Sequence, residues 1–220
     1  MTTLTSSPVA PLLTHLLAKA RESDATLRDR LRSRSTAESA ALAGGEDYRS
    51  LYAQAKDLYL AVSPETGRLL YMLVRATGAR SVIEFGTSFG VSTLHIAAAL
   101  RDNGGGRVIG SEFEPSKTAK ARETMEAAGL ADLVEIRQGD ALETLARDLP
   151  NRVDLLVLDG AKALYPRILS QVEGQLAPHA LIVADNAGDS PAYLARVRDP
   201  DGGYLSVPLT GDVELSLRLG

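Results

Sequence analysis

The chain contains no cysteine and no tryptophan among its 220 residues. Without cysteine it has no disulfide, no thiolate metal site and no thiol nucleophile, a composition that fits a reducing compartment. The first residues carry no positively charged segment and lead to no long apolar run, so the sequence predicts neither a signal peptide nor a membrane span. We therefore expect a cytoplasmic protein without a membrane partner.

The chain also lacks an excess of positive charge. Its net charge of −4 provides no overall basic field for nucleic acid or an anionic membrane, although an acidic total is compatible with a local basic patch. The hydrophobic content of 45% at this length indicates one globular domain, residues 1–220. We expect a small-molecule substrate rather than a nucleic acid.

Residues 1–78 are predicted to form a helical extension. Leucines at helical spacing in 12–31 indicate one or two helices, and another amphipathic pattern covers 48–62. Ser63 followed by proline is typical of a helix start, and Gly78 is typical of a helix end. Such an extension is available to cover a site or to contact a second subunit.

Apolar runs alternate with helical patterns in the core, residues 79–220. Runs that are buried on both faces favour parallel strands, and the two runs nearest the carboxyl terminus favour an antiparallel hairpin. Right-handed crossovers then give an α/β fold with a doubly wound, mostly parallel seven-stranded sheet. The predicted strands are 81–85, 107–112, 133–136, 153–159 and 180–185, followed by the hairpin 204–219.

The stretch 81–97 indicates a strand, a glycine turn and a helix. Gly86 and Gly90 lack a Cβ atom and let a ligand approach the main chain, while the amides of the following helix face the same ligand. Glu84 closes an apolar strand and needs a partner, for which a cationic ligand is suitable. The alternative is a tight turn with an acid at its rim.

The glycine spacing also bears on the kind of ligand. Gly86-x-x-x-Gly90 lacks the third glycine that accommodates a pyrophosphate in the dinucleotide fingerprint, so NAD is disfavoured. S-adenosylmethionine (SAM) carries a sulfonium and an amino-acid end but no phosphate. SAM must therefore approach the backbone closely, but its site does not have to accommodate a phosphate.

An acid ends the second predicted strand, and another follows the third. Glu112 follows the glycine turn at about the interval at which an acid meets ribose hydroxyls in nucleotide-binding folds. Asp140 either accepts a hydrogen bond from an adenine amino group or caps the helix that begins at Ala141. Because the carboxyl ends of neighbouring parallel strands lie along one crevice, these acids are expected to face one ligand.

The fourth and fifth strands end in Asp159 and in Asp185-Asn186. Two carboxylates and an amide oxygen are hard ligands, which suit Mg²⁺ better than zinc. The alternative role is helix capping in the loops that follow. Lys162 lies three residues after Asp159, where it is either a general base with a depressed pKa beside the cation or a surface lysine paired with an acid.

These motifs, in this order, resemble the cation-dependent, SAM-dependent O-methyltransferases of the catechol and caffeoyl-CoA type, which are class I methyltransferases. The similarity covers about residues 60–220 and is most specific in Asp159-x-x-Lys162 and Asp185-Asn186. It implies a Rossmann-like fold. It also implies which residues bind each part of SAM: Glu84, Gly86, Ser88 and Ser92 bind the methionine end, Glu112 binds the ribose, and Asp140 and Ala141 bind the adenine. By the same resemblance, Asp159 contacts both the cofactor and the metal, and Asp185 and Asn186 bind the metal. Lys162 is implied to be the general base.

The resemblance implies metal-dependent transfer of a methyl group from SAM to a hydroxyl of a catechol-like small molecule. Mg²⁺ is the expected cation, with Mn²⁺ and Ca²⁺ as alternatives, and a homodimer is the expected assembly. Other readings are O-methylation of a hydroxylated tRNA base and a non-catalytic SAM-binding subunit. The animal catechol enzymes have bulky residues where Gly160 and Ala161 stand and flank their substrate with tryptophan. We therefore expect a roomier opening here, walled by Tyr165, Tyr204 or the amino-terminal helices.

Overall fold

The computed structural model describes residues 1–32, 55–209 and 212–220. For residue 24 and residues 26–32, it describes the backbone and not the side chains. Residues 48–54 of the helix predicted over 48–62 lie outside the described residues. In its described part, residues 55–57 form a turn and no helix follows, so the predicted helical end is wrong.

Among the described residues, two long helices precede the sheet. Helix α1 is continuous over Val9–Arg32. Helix α2, Pro64–Thr77, begins as predicted: the Ser63 hydroxyl accepts the Thr66 N–H at 3.0 Å. It ends at Gly78, whose φ of 66° lies in the left-handed region.

The sheet has seven strands in the order β3-β2-β1-β4-β5-β7-β6. Strands β1 to β5 pair in parallel, and β7 pairs antiparallel with both β5 and β6, so the predicted fold class is confirmed. The strands are β1 Ser81–Phe85, β2 Arg107–Glu112, β3 Val134–Gln138, β4 Val153–Leu158, β5 Leu176–Ala184, β6 Tyr204–Leu209 and β7 Val213–Arg218. The helices between them are α3 Val91–Asp102, α4 Pro115–Ala127, α5 Ala141–Thr144, α6 Tyr165–Val172 and α7 Pro191–Val197.

Apolar residues cover both faces of the sheet, as expected for buried parallel strands. One core cluster joins β1 and β2 to α2 and α3, and it includes Val82, Leu94 and Leu70. The other joins the opposite face to α6 and α7, and it includes Ile83 and Ile168. In the described part of the chain, no helix has the length and apolar character to cross a membrane.

The strand register aligns the ends of the three central strands. Phe85 at the end of β1 pairs with Leu158 of β4, and Leu158 pairs with Ala184 of β5. The residues that directly follow these partners therefore emerge side by side at the carboxyl edge of the sheet. This edge carries the glycine turn and the acids that follow β4 and β5.

Candidate active site

The glycine turn after β1 is shaped by the turn after β4. Gly86 has a φ of 100°, and a Cβ atom there would lie 2.5 Å from the backbone oxygen of Asp159. This glycine therefore admits the backbone of the neighbouring turn. Gly90, with a φ of 86°, begins helix α3.

Glu84 lies beneath the turn and not at its rim, so the rim alternative is wrong. The side chain is 0% exposed, and its Oε2 accepts hydrogen bonds from the hydroxyls of Thr87 at 3.1 Å and Thr93 at 2.5 Å. Among the described residues, Oε1 has no hydrogen-bond partner. Burial raises the pKa of Glu84 to about 7, and the hydroxyls of Thr93, Ser92 and Thr87 oppose that shift.

Glu112 is held in place by main-chain amides. Its Oε2 accepts the N–H of Ser88 at 2.7 Å, and its Oε1 accepts the N–H of Glu114 at 2.8 Å. Burial raises the pKa of Glu112, and these amides oppose the shift. The carboxylate thus bridges the turn after β1 and the turn after β2.

A segment before helix α2 crosses the glycine turn. The Tyr59 ring stacks on Phe89 with centroids 4.1 Å apart, and the Tyr59 carbonyl accepts the Ser88 hydroxyl at 2.6 Å. The Tyr59 N–H donates to the Ser23 hydroxyl at 3.1 Å. These contacts tie helix α1 to the turn after β1.

Lys117 is a buried cation that the sequence analysis missed. It is 2% exposed, and its amine lies 5.5 Å from the centre of the Phe89 ring. Its charge opposes the upward pKa shifts of Glu112 and Asp159. One feature of the sequence could have identified Lys117: it lies in the first turn of α4, five residues after Glu112, and so at the same edge of the sheet.

Asp140 caps helix α5, because its Oδ1 accepts the Leu142 N–H at 3.0 Å. The capping role is therefore present. Asp140, Ala141 and Glu112 also line a narrow cleft of about 40 Å³. A contact with adenine there stays a prediction.

The main cavity lies over the carboxyl edge and has a volume of about 580 Å³. Leu17, Ala20 and Arg21 of α1 contribute one wall, so the expectation of a helical wall is confirmed for α1. Residues 60–64 and Thr66 also line the cavity. The predicted site residues that line this cavity are Gly86, Ser88, Glu112, Asp159, Lys162, Asp185 and Asn186.

The prediction that Tyr165 and Tyr204 wall the cavity opening is wrong. Tyr165 and Tyr204 are 0% and 5% exposed, and the Tyr204 hydroxyl donates to Glu173, so both rings belong to the core. A Cβ atom on Gly160 would overlap the ring of Phe85. The small residue at 160 therefore accommodates that ring, because the turn packs directly on the end of β1.

Asp159 and Asp185 place negative charge in the cavity wall. Burial raises the pKa of Asp159, and the positive charge of Lys162 opposes that shift. Burial and the charge of Asp159 raise the pKa of Asp185 to about 7. Asn186 has a left-handed φ of 49°, and the following turn is held because the Gly188 N–H donates to Asp212 at 3.1 Å.

The donor set at this edge has the chemistry of a site for a hard cation. Within the described ranges, no group of three or more His, Cys, Asp and Glu side chains is arranged to hold a metal ion. The predicted set consists instead of the carboxylates Asp159 and Asp185 with the amide Asn186, all lining one cavity. Such a set fits a cation whose remaining coordination positions are occupied by water or by substrate oxygen atoms.

Lys162 is not an exposed surface lysine. Its side chain is 14% exposed, and its amine donates to Asp159 Oδ1 at 3.1 Å and to the Tyr165 hydroxyl at 2.9 Å. It does pair with an acid, as one alternative predicted. It also lines the main cavity, so its side chain borders the space open to a ligand.

The strand order, the terminal hairpin and the ligand crevice define a Rossmann-like methyltransferase fold. A family model described as O-methyltransferase matches residues 33–196, and the chain belongs to this family. The predicted resemblance is thereby confirmed at the level of the O-methyltransferases.

Two relatives share about a third of their aligned residues with the chain. Catechol O-methyltransferase of Niastella koreensis is 35% identical over 130 residues, which cover 58% of this chain and 58% of that protein. Catechol O-methyltransferase of Mycobacterium tuberculosis is 34% identical over 142 residues, 64% of each chain. The matches thus span less than two thirds of these relatives' lengths.

Solved structures show the same fold over most of the chain. The O-methyltransferase TomG of Streptomyces achromogenes, involved in tomaymycin synthesis and solved with SAM, is 26% identical, with a TM-score of 0.65 over 86% of this chain and 92% of that one. An O-methyltransferase of Bacillus cereus, solved with SAH, has a TM-score of 0.67 at 22% identity, over 92% of this chain and 99% of that one.

Proposed function

We propose that the protein transfers a methyl group from SAM to one hydroxyl oxygen of a catechol-like small molecule and that the reaction depends on a divalent cation. The observation that carries this proposal is one cavity that combines the glycine turn, oxygen donors and a lysine amine. The names of the two curated relatives support the choice of a catechol.

The cofactor half of the site offers contacts for each part of SAM. Gly86 and Ser88 present the turn to the methionine end, and the buried Glu84 and Ser92 lie behind it. Glu112 is fixed by two amides and retains lone pairs for ribose hydroxyls. The cleft beside Asp140 and Ala141 takes the adenine.

Asp159, Asp185 and Asn186 are the residues that would hold the cation, with Mg²⁺ the best match to their oxygen donors. When bound, a divalent cation supplies Lewis-acid stabilisation of negative charge on an acceptor oxygen. Lys162, adjacent to Asp159, takes the proton of the reacting hydroxyl. That oxygen then attacks the methyl carbon, and the electron pair of the broken carbon–sulfur bond stays on sulfur.

We also propose that residues 1–220 form one domain, with 1–78 as the helical extension of the core 79–220, and that two copies form a homodimer. Val9 and Leu70 of the extension share a core cluster with Val82 of β1, which supports a single domain. Light scattering during size-exclusion chromatography tests the dimer. A mass equal to one chain across a range of concentrations contradicts it.

A methyl-transfer screen tests the main proposal. The purified protein is incubated with SAM and with catechols, caffeoyl esters, single phenols and tRNA, each with Mg²⁺ and with EDTA. We expect methylation of vicinal dihydroxy aromatics that requires the cation. Equal rates with single phenols, or methylation of tRNA alone, contradict the proposed acceptor.

A further inference from the structure

Tyr165 lies directly beneath the lysine of the active site. It is 0% exposed and follows Lys162 by three residues, at the start of helix α6. Its hydroxyl oxygen lies 2.8 Å from the carbonyl oxygen of Leu158, 2.8 Å from that of Asp185 and 2.9 Å from the Lys162 amine. One buried oxygen therefore joins the ends of β4 and β5 to Lys162.

The donors and acceptors fix the direction of these hydrogen bonds. The two carbonyl groups only accept, so the single hydroxyl proton of Tyr165 is directed to them. The Tyr165 oxygen must then accept from the Lys162 amine. That nitrogen carries three hydrogens when protonated, and Asp159 and Tyr165 take two of them.

We infer that Tyr165 is a positioning residue for Lys162. It holds the amine between two fixed oxygen atoms and leaves the remaining position of the nitrogen for the cavity that Lys162 lines. In the neutral amine, the two N–H donations persist and the lone pair occupies that remaining position. This inference rests on the proposed function, in which Lys162 takes a proton from the acceptor.

A neighbouring tyrosine provides a matched control. Tyr193 is also 0% exposed, and its ring meets the Tyr165 ring edge to face with centroids 5.7 Å apart. Its hydroxyl lies near Ser216 and Glu214, and within the described residues no hydrogen bond joins it to Lys162. Removing the Tyr193 hydroxyl thus perturbs the same aromatic cluster without touching Lys162.

The kinetic test is a double-mutant cycle with Tyr165→Phe and Lys162→Ala, alongside Tyr193→Phe. We expect Tyr165→Phe to lower kcat by about 10-fold to 100-fold, as for loss of a hydrogen bond to a charged group, with KM and SAM affinity unchanged. Tyr193→Phe should retain the wild-type kcat. In the Lys162→Ala background, Tyr165→Phe should cause no further loss, because it acts through the lysine. Wild-type kcat in Tyr165→Phe, or additive losses in the double variant, overturns the inference.

A structural test does not depend on activity. In a crystal structure of Tyr165→Phe, we expect the Lys162 amine to leave its wild-type position or to occupy several positions. An amine that stays ordered at its wild-type distance from Asp159 overturns the inference. If the wild-type protein methylates no acceptor, the proposed function fails while this structural test still decides the role of Tyr165.

A second variant covers the case in which Tyr165→Phe does not fold. Incorporation of 3-fluorotyrosine at position 165 keeps the ring and the hydroxyl but weakens the oxygen as an acceptor. We expect a smaller fall in kcat, of about 2-fold to 5-fold, with unchanged SAM affinity. An unchanged kcat in this variant overturns the inference.

Discussion

The two halves of the carboxyl edge hold their acids in different ways. In the cofactor half, Glu112 accepts hydrogen bonds from the amides of Ser88 and Glu114, and Asp140 accepts a hydrogen bond from the Leu142 amide. In the acceptor half, Asp159 pairs with Lys162, and its charge helps to raise the pKa of Asp185. Main-chain N–H groups therefore hold the carboxylates of the cofactor half, whereas the acceptor half places two carboxylates of the same charge close together.

This difference assigns separate tasks to the two halves. Carboxylates held by amides are oriented before a ligand arrives, which reduces the entropy lost when SAM binds. Two partly buried carboxylates whose charges act on each other favour a further cation, because burial penalises uncompensated charge. We therefore expect cofactor binding to survive changes that abolish turnover.

Removal of divalent cations should give the largest difference between the two halves, because it should abolish turnover and leave SAM binding intact. We expect EDTA to lower turnover by roughly 10³-fold or more, since Lewis-acid stabilisation contributes several kcal/mol. SAM affinity, measured by calorimetry, should change by less than about threefold. Asp185→Ala should reproduce both results, with the exposed Asp201→Ala as its control. Full activity in protein shown by elemental analysis to be free of metal contradicts the cation site.

Substitution of Lys162 tests the chemical step in the acceptor half. Lys162→Ala should lower kcat by roughly 10² to 10⁴, the range for loss of a positioned general base, with a smaller effect on SAM affinity. Lys162→Arg should not restore the rate, because a guanidinium stays protonated. The exposed Lys120→Ala is the matched control. Recovery of most of the rate by arginine would show that Lys162 acts only as a positive charge.

Substitution of Glu112 tests the cofactor half. Glu112→Ala should weaken SAM binding by about 1 to 3 kcal/mol, because the ribose loses its acceptor and the amides of Ser88 and Glu114 lose theirs. Calorimetry without metal measures this loss, with the exposed Glu126→Ala as control. Unchanged affinity removes Glu112 from the cofactor site.

Glu84 is the exception in the cofactor half, because side-chain hydroxyls hold it and one of its oxygen atoms is unpaired among the described residues. Its folded-state pKa of about 7 lies above the ordinary 4.5. The folded protein therefore retains a proton that the unfolded chain releases in this window, and stability falls as pH rises from 4.5 to 7.

Glu84→Gln cannot titrate, so it should remove this pH dependence. Relative to the wild type, the variant without ligand should gain about 3 kcal/mol in unfolding free energy between pH 4.5 and pH 8. Urea unfolding at the two pH values measures the difference. The same variant should bind SAM more weakly if Glu84 faces the cationic end of the cofactor. A pH-independent difference between variant and wild type refutes the raised pKa.

The sequence predicted the elements and the edge because their signals are local. Apolar runs set the strands, and Ser63 and Gly78 set the ends of helix α2. Each acid lies within two residues of the end of its strand. Parallel topology then brings strand ends to one crevice, whatever the detailed packing. For this reason, the strand-end residues that line the main cavity could be named before their distances were known.

By itself, the sequence determined the doubly wound sheet, its terminal hairpin and the acids at its carboxyl edge. The tertiary structure decided that Glu84 is buried, that Gly86 admits the turn after β4, that Gly160 admits the ring of Phe85, and that Lys117 enters the cavity. It also placed the Tyr165 hydroxyl under Lys162, against the carbonyl of Asp185, which is 20 residues away in sequence. No periodicity or spacing encodes these contacts, because they depend on how strands and turns distant in the chain approach one another in three dimensions.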